Sequence, residues 1–265
     1  MSNRPTYSLE NSLSILELVK NGMMDIKIAA LLWCLAEQKA SFIIAAPPRL
    51  AGKTTVLNSI LQLTPMWFKI VSIDASQSDF SEIKLTKPRD TYILVHEISD
   101  HLPIYLWGTK VKTIFQYVAQ GYSLASTMHA ESPNSIINQL SSDPICIEKH
   151  LMGSLDIIIN LYMHEDVEGK TRRIWKIFIQ SISGSGISPK FVCLSEFDFE
   201  SGLFSQFDPR AFTILSKRFN LDEKILEKDL ISKQKTLLQW GTKELTTSQQ
   251  LKQVIREYYL AKYRI

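Results

Sequence analysis

The residues best suited to chemistry lie in the segment 47–54, Pro-Pro-Arg-Leu-Ala-Gly-Lys-Thr, between a short apolar run and the start of a helical pattern. Its last three residues match the end of a phosphate-binding loop, in which glycine lets the backbone approach the anion. The first N–H groups of the next helix point at the phosphates, the lysine contacts the outer phosphates and the threonine binds Mg²⁺. The predicted ligands are ATP and Mg²⁺, and the predicted binding residues are Arg49, Ala51, Gly52, Lys53, Thr54 and Thr55.

Two positions of this segment depart from the motif. Pro47 stands at the first glycine position, and Leu50 occupies a loop position that is often glycine. Proline has no N–H group to donate to a phosphate, and its ring fixes φ. The alternative is that residues 51–55 merely begin a helix, but the strand and helix patterns on either side are those the motif requires. Nucleotide binding is therefore the prediction, and its affinity is left open.

Two acids, Glu97 and Asp100, follow the apolar run 93–95. In P-loop ATPases an acidic residue at a neighbouring strand tip holds the magnesium ion or its water molecules. Ligands bind at the carboxyl edge of a parallel sheet, where Glu97 is expected to lie. The alternative is an ordinary exposed loop acid. We predict that Thr54 and Glu97 are the magnesium-binding residues.

Asp74 and His129 complete the predicted catalytic set with Glu97. Asp74 ends the strand pattern before that of Glu97 and could orient the attacking water, although a turn cap is the alternative. His129 follows a fourth strand pattern, which suits a hydrogen bond to the transferred phosphate. A histidine at a strand end is more often structural, so this alternative also stays open.

The elements that position these residues follow from apolar periodicity. Helical spacing over residues 12–37 is interrupted at Asn21-Gly22, which predicts two helices. Strands that alternate with helices indicate a mainly parallel sheet covered on both faces, so the predicted class is α/β. The predicted strands are 41–46, 69–74, 91–97 and 122–128, and the further predicted helices are 53–63 and 103–120.

The pattern changes after residue 154. Hairpins are expected there because strand patterns at 155–162, 172–182 and 190–199 are separated by turn residues at 169–170 and 183–186. Helical patterns follow at 209–219, 222–240 and 247–263. We therefore predict an α/β domain at residues 1–205, which includes the N-terminal helices, and a helical C-terminal region at 206–265.

Composition narrows the class of function. The chain has 265 residues, 45% of them hydrophobic, and a formal net charge of +3. That charge is too small to indicate nucleic acid, and no apolar run reaches the roughly 18 residues of a membrane span. The polar segment 1–10 lacks the apolar core of a signal peptide, and three widely spaced cysteines predict no disulfide framework. The expected compartment is the cytoplasm.

Three segments resemble, in order, the Walker A, Walker B and His boxes of the ATPases of type II/IV secretion systems and type IV pili: Ala51–Asn58, Ile93–Asp100 and Gly121–Pro133. Three further segments look like the tight-adherence pilus branch: Leu16–Gly22, Leu155–Asn160 and Leu230–Tyr259. The resemblance covers about residues 12–260. A His box that follows a glutamate-bearing Walker B box is far more specific to this family than Walker A alone.

The resemblance implies a RecA-like P-loop NTPase core in a homo- or hetero-oligomer, which in the family is a hexameric ring. It also implies a membrane platform protein as partner, at the inner face of the cell membrane, and no direct contact with nucleic acid. Lys53 and Thr54 would be the phosphate and magnesium residues, and Glu97 the Walker B acid. His129 would be the His-box residue and Asp74 the remnant of the Asp box.

The departures from the family concern catalysis. Ile73-Asp74 stands where the Asp box reads Glu-Asp, Gln77 replaces a second glutamate, and neither the family's N-terminal domain nor an arginine-bearing helix is found in the sequence. Loss of a general base costs about 10²–10⁴-fold in rate, and loss of an arginine finger about 10³–10⁵-fold. If the strand tip is open, Ile73→Glu should raise turnover.

Two hypotheses follow from these departures. One is a motor ATPase, and the other is a degenerate nucleotide-binding subunit with little hydrolysis that regulates or completes such an assembly. A helicase is a third, weaker hypothesis, because the sequence has no basic stripe.

Overall fold

The computed structural model describes residues 12–47, 49–77, 79–166, 169–181, 189–243 and 247–264. In chain order the helices are α1 (Ile15–Lys20), α2 (Ile26–Glu37), α3 (Lys53–Leu61), α4 (Ser81–Lys84), α5 (Thr109–Ala119), α6 (Pro133–Ser141), α7 (Lys149–Met152), α8 (Pro209–Arg218), α9 (Glu223–Thr242) and α10 (Ser248–Tyr263). The strands are β1 (Phe42–Ala45), β2 (Lys69–Ile73), β3 (Thr91–Ile98), β4 (Ser123–Met128), β5 (Ile157–Asp166), β6 (Gly169–Ser181), β7 (Lys190–Asp198) and β8 (Leu203–Phe204).

Within these ranges the strands form one sheet in the order β2-β3-β4-β1-β5-β6-β7-β8. The strands from β2 to β5 in this order pair in parallel, and β6, β7 and β8 add antiparallel pairs. The predicted α/β class with a mainly parallel sheet is confirmed. The antiparallel hairpins expected after residue 154 are also present, with Gly169 and Lys170 at the start of β6. The predicted turn at 183–186 lies outside the described residues.

The centre of the sheet is buried on both faces. Every residue of β1 and of β4 is buried, as expected for parallel strands that carry helices on either side. One core lies between the sheet and α1, α2, α3 and the C-terminal helices, and a second lies between the sheet and α5, α6 and α7. Ligands of such folds bind where the parallel strands end, because the crossovers leave a crevice at that edge.

The two helices predicted within residues 12–37 are present, and the break between them includes Asn21-Gly22. Ser14 caps α1, and the side chain of Glu17 accepts a hydrogen bond from the Ser14 N–H, which completes a capping box. The break after α1 includes Gly22 with φ +72°, a conformation that glycine adopts without steric cost. Asp25 then caps α2 by accepting a hydrogen bond from the Ile28 N–H at 2.7 Å.

The helix predicted at 103–120 begins only at Thr109, so the first part of that prediction is wrong. The Leu106 N–H donates to the Glu97 carbonyl, and the Ser99 N–H donates to the Leu106 carbonyl, both at 3.1 Å. These bonds form a bridge alongside the end of β3 and hold residues 99–108 out of the helix. The short elements α4, α6, α7 and β8 were not predicted.

The C-terminal helices pack on the N-terminal ones. Trp33 of α2 lies 5.2 Å from Trp240 of α9 between ring centroids, and its indole N–H donates to the Tyr259 hydroxyl at 2.9 Å. Tyr259 in turn donates to the Leu63 carbonyl at 2.8 Å. A domain boundary near residue 205 stays a prediction. Over the described residues, the helices are too short or too polar to cross a membrane.

Candidate phosphate-binding site

The segment between β1 and α3 contains two residues in the left-handed conformation, Leu50 and Gly52. Gly52, directly before α3, has φ +94°, and a Cβ at this position would lie 3.0 Å from Met23 Cε. Only glycine fits this combination of backbone angle and close contact without strain. Leu50 also adopts a left-handed conformation, with φ +63°. Pro48 lies outside the described residues, so the loop is described on both sides of it.

Lys53 is the first residue of α3, and it is 7% exposed. Its Nζ lies 3.4 Å from Nε2 and 3.5 Å from Nδ1 of His129. Burial lowers the pKa of Lys53 below 10.5, the charge of Glu97 opposes this effect, and the charge of Arg49 adds to it. A buried ammonium with incomplete compensation favours an anionic ligand, because the ligand would replace the lost hydration.

A β-bulge turns Glu97 toward the loop. Up to Val95, β3 alternates, with Ile93 and Val95 in the core on one face and Leu94 in the core on the other. Strict alternation would place Glu97 on the same face as Ile93 and Val95. The register against β4 shifts between Val95 and Ile98, so Ile98 takes that place in the core. A bulge adds one residue to a strand and redirects the side chains around it. Glu97 therefore lies on the face of the sheet that carries α3.

Glu97 is held by neighbours at this edge. Its Oε1 accepts a hydrogen bond from Ser99 Oγ at 2.9 Å and lies 3.4 Å from His129 Nε2. The ring of His101 lies 5.2 Å from that of His129 between centroids. One ligand atom each from Glu97, His101 and His129 lie within 4.8 Å of one another. The carboxylate is therefore oriented, and two histidines lie close enough to contact whatever it binds.

His129 follows β4, the strand that lies between β1 and β3. Glu97 thus comes from the second strand away from β1, and His129 follows the strand directly beside it. His129 Nδ1 lies 3.1 Å from the Pro47 carbonyl, which can only accept, so we assign the Nδ1–H tautomer. Nε2 lies 3.4 Å from Lys53 Nζ and 3.4 Å from Glu97 Oε1. Gln139 of α6 donates to the His129 carbonyl at 3.0 Å and fixes the backbone.

The structure does not bring Asp74 and Asp100 into this group. Asp74 Oδ1 accepts hydrogen bonds from the N–H of Ser76 at 2.8 Å and from its hydroxyl, and the Asp74 N–H donates to Gln77 Oε1 at 2.8 Å. Asp74 therefore caps a turn, which was the alternative left open by the sequence. Asp100 is exposed. Neither residue lines the cavity described next.

A cavity of about 470 Å³ opens at the loop. All six predicted nucleotide-binding residues line it, together with Glu97 and His129. Five further residues line the cavity and were not predicted: Leu50, His101, Leu102, Tyr105 and Arg172. Three of these lie in residues 99–108, and of this segment only 103–108 belonged to the predicted helix. The polar run Ser99-Asp100-His101, which follows Ile98, was the signal in the sequence that could have identified this part of the lining.

Ile73 lies in the core. It is 1% exposed, so the open strand tip required for a useful glutamate at this position is not present. We predict that Ile73→Glu lowers the free energy of unfolding by about 3 kcal/mol or more, because a carboxylate would be buried without a partner. Urea denaturation measures the loss, and Ile73→Val should cost only about 0.5–1.5 kcal/mol. A fully stable glutamate variant with faster turnover would contradict this burial argument.

No protein-family model matches the chain. MJ1287, an uncharacterized protein of Methanocaldococcus jannaschii, is 29% identical over 168 residues. The aligned segment is 54% of this chain and 59% of that protein. The chain therefore spans less than two thirds of the length of this relative.

Three solved ATPase structures give partial matches. The VirB11 ATPase of the Brucella suis type IV secretion system matches with a TM-score of 0.43 and 16% identity, over 62% of this chain and 56% of that one. The ATPase DotB of Yersinia pseudotuberculosis matches with a TM-score of 0.43 and 13% identity, over 61% and 48%. DotB of Legionella pneumophila matches with a TM-score of 0.40 and 14% identity, over 90% and 65%.

Proposed function

We propose that the cavity binds ATP together with Mg²⁺. The observation that carries this proposal is the positive charge of the side chains that line the cavity. The cavity lies at the loop in which the left-handed Gly52 precedes α3. Three cationic side chains, Arg49, Lys53 and Arg172, line the cavity against the single carboxylate of Glu97. A positive surplus beside the free N–H groups of a helix start suits a polyphosphate. A carboxylate among these cations suits the metal ion that accompanies a nucleotide.

The residues present fit magnesium. Thr54 is the second residue of α3 and offers a hydroxyl, and Glu97 offers an oriented carboxylate. Oxygen ligands of this kind, completed by water and phosphate oxygens, are those that Mg²⁺ prefers. The ion would neutralise charge on the outer phosphates. His129 would accept a hydrogen bond from Lys53 before the nucleotide binds, and Lys53 would turn to the phosphates afterwards.

For the wider role, we propose an ATP-dependent subunit of a secretion or pilus machine, in a homo- or hetero-oligomer that docks on a membrane platform protein. The support is the resemblance of the three boxes to that family. The second candidate is a nucleotide-binding subunit with little hydrolysis. It is favoured by one specific observation, since Asp74 is engaged with Ser76 and Ile73 is buried, which leaves no acid at the Asp-box position facing the cavity.

Hydrolysis by the purified chain tests both candidates. We predict that the chain binds Mg-ATP but turns over more slowly than about 1 s⁻¹, the lower range of working enzymes. Glu97→Gln should retain binding of Mg-ADP and lower the remaining turnover at least about 10-fold, because the metal loses an anionic ligand. Phosphate release and calorimetry give the two values. Asp100→Asn is the matched control and should change neither.

Three outcomes would contradict the proposed nucleotide binding, the low turnover or the role of Glu97. No detectable nucleotide binding by the wild-type chain would overturn the proposed function itself. Turnover well above 1 s⁻¹ would remove the low-hydrolysis candidate. Equal effects of the Glu97 and Asp100 substitutions would remove Glu97 from the site. Adding a full-length family ATPase from the same cell would show whether a partner supplies the missing groups, through a rise in turnover above the sum of the two proteins.

A further inference from the structure

The cavity has a second cationic wall, and it comes from the β5–β6 hairpin. Arg172 pairs with Met163 of β5 and lines the cavity. Ala45, the last residue of β1, is level with Asn160 of β5. The hairpin therefore continues past the end of β1, and at about 3.3 Å per residue Met163 lies roughly 10 Å beyond it. This length of hairpin runs beside the loop that follows β1.

Arg172 passes close to the loop backbone at Gly52. Its Cδ lies 3.9 Å from the position that a Cβ would take at Gly52. The hairpin is anchored there, because the Ile174 N–H donates to the Met23 carbonyl at 2.8 Å and Met23 itself packs on Gly52. Arg172 is exposed, and among the described residues its guanidinium has no ion-pair or hydrogen-bond partner. Its five N–H donors are thus available to a ligand in the cavity.

The adjacent arginine has a different environment. Successive residues of a strand point to opposite faces, and the Arg173 guanidinium lies 4.2 Å over the ring of Phe197. Arg173 does not line the cavity. Arg172 and Arg173 carry the same charge and lie on the same strand, but only Arg172 faces the cavity. Arg173 is therefore a natural control for Arg172.

We propose that Arg172 binds the inner phosphates, α and β, of the nucleotide, an inference that rests on the proposed function. The sheet order puts Glu97 on β3, at one side of β1, and Arg172 on β6, at the other side. A metal ion held by Thr54 and Glu97 would bind the outer phosphates, which would place the outer end of the phosphate chain at Glu97. From there the phosphate chain of the nucleotide would run across the loop toward the β5–β6 hairpin. A guanidinium fork matches two phosphate oxygens and forms charge-assisted hydrogen bonds with them.

The test uses the full chain and compares Arg172→Gln with Arg173→Gln. Both changes remove the charge and keep most of the side-chain stem, so packing is largely retained. Calorimetry with Mg-ADP and with a non-hydrolysable Mg-ATP analogue gives the affinities. We expect Arg172→Gln to weaken both ligands by a similar factor of about 10 or more, and Arg173→Gln to change them less than about 2-fold. Arg172→Lys should recover only part of the loss, because lysine has no fork.

The outcomes separate this inference from the proposed function. If the wild-type chain binds nucleotide and Arg172→Gln binds it equally well, the Arg172 inference is overturned while the nucleotide site stands. A loss confined to the ATP analogue would place Arg172 at the γ-phosphate and overturn the inner-phosphate assignment. Equal losses in both arginine variants would show a general charge effect and also overturn it. If Arg172→Gln does not fold by thermal melting, Arg172→Lys alone decides, since retention of full affinity by lysine would exclude a fork contact.

Discussion

Replacing Lys53 by alanine is expected to weaken the binding of Mg-ATP by about 30-fold or more. Loss of one partner from a buried, hydrogen-bonded charge pair costs about 2–5 kcal/mol, and 1.4 kcal/mol is a tenfold change in the dissociation constant. Lys53 meets the conditions for such a loss, because it is 7% exposed at the start of α3 and lines the cavity. Calorimetry on the purified variant measures the change, and a thermal melt checks that it is folded.

The matched control for this charge is Lys228→Ala. Lys228 is an exposed residue of α9 outside the cavity, so its removal lowers the net charge equally without touching the site. Its affinity for Mg-ATP should stay within about 2-fold of wild type, since surface charges at a distance are screened by salt. Unchanged affinity in the Lys53 variant, with the wild type binding normally, would remove the phosphate-binding role of this loop.

The largest effect on stability is expected at Lys233 of α9. It is fully buried, and it forms ion pairs with Glu37 of α2 and with Asp229. Lys262 of α10 lies 2.7 Å from Glu37 Oε1 and 3.1 Å from Asp229 Oδ1, and the Tyr263 hydroxyl donates to Glu37 at 2.7 Å. This cluster joins three helices. Lys233→Met should lower the free energy of unfolding by about 3–5 kcal/mol, because Glu37 and Asp229 lose their buried partner.

Chemical denaturation measures this loss, and Lys235→Met on the same helix is the control. Lys235 is exposed, so its replacement should change stability by no more than about 0.5 kcal/mol. In the double variant Lys233→Met with Glu37→Gln, the total loss should be smaller than the sum of the single losses, because the uncompensated carboxylate is gone. Additive losses would show that Lys233 and Glu37 do not interact.

The same cluster predicts a loss of stability in acid. Burial would raise the pKa of Glu37, but the positive charge of Lys233 and the hydrogen bonds from Lys233, Lys262 and Tyr263 together outweigh it, and the pKa is lowered below 4.5. The pKa of Asp229 is lowered below 3.8 by the same balance. The cluster therefore contributes its full stabilisation above the unfolded-state pKa values and loses it as the pH falls through the lower folded-state values. Lys233→Met should show a smaller drop in stability between about pH 5 and pH 2 than the wild type.

Local patterns in the sequence predicted most of the fold. Apolar runs at 41–46, 69–74, 91–97 and 122–128 became parallel strands, because strand formation depends on residue type and period over a few neighbouring residues. The helix start at Lys53 was also predictable, since Gly52-Lys53-Thr54 marks it locally. Residues 103–108 were wrongly predicted as helix because the hydrogen bonds of Leu106 go to the end of β3, a partner that local propensity does not register.

The sequence by itself determined which residue types lie near the loop, and the tertiary structure decided which of them face the cavity. Glu97 turns toward Lys53 because of a bulge in its pairing with β4, and strand alternation alone would have directed it to the other face. Asp74 accepts a hydrogen bond from the Ser76 N–H, and Ile73 is buried in the core, so the end of β2 contributes no acid to the cavity. Arg172 is 119 positions after Lys53 in the chain, and only the hairpin beside β1 brings it to the loop. Such long-range placements depend on strand pairing across the whole sheet, which periodicity within a short segment does not encode.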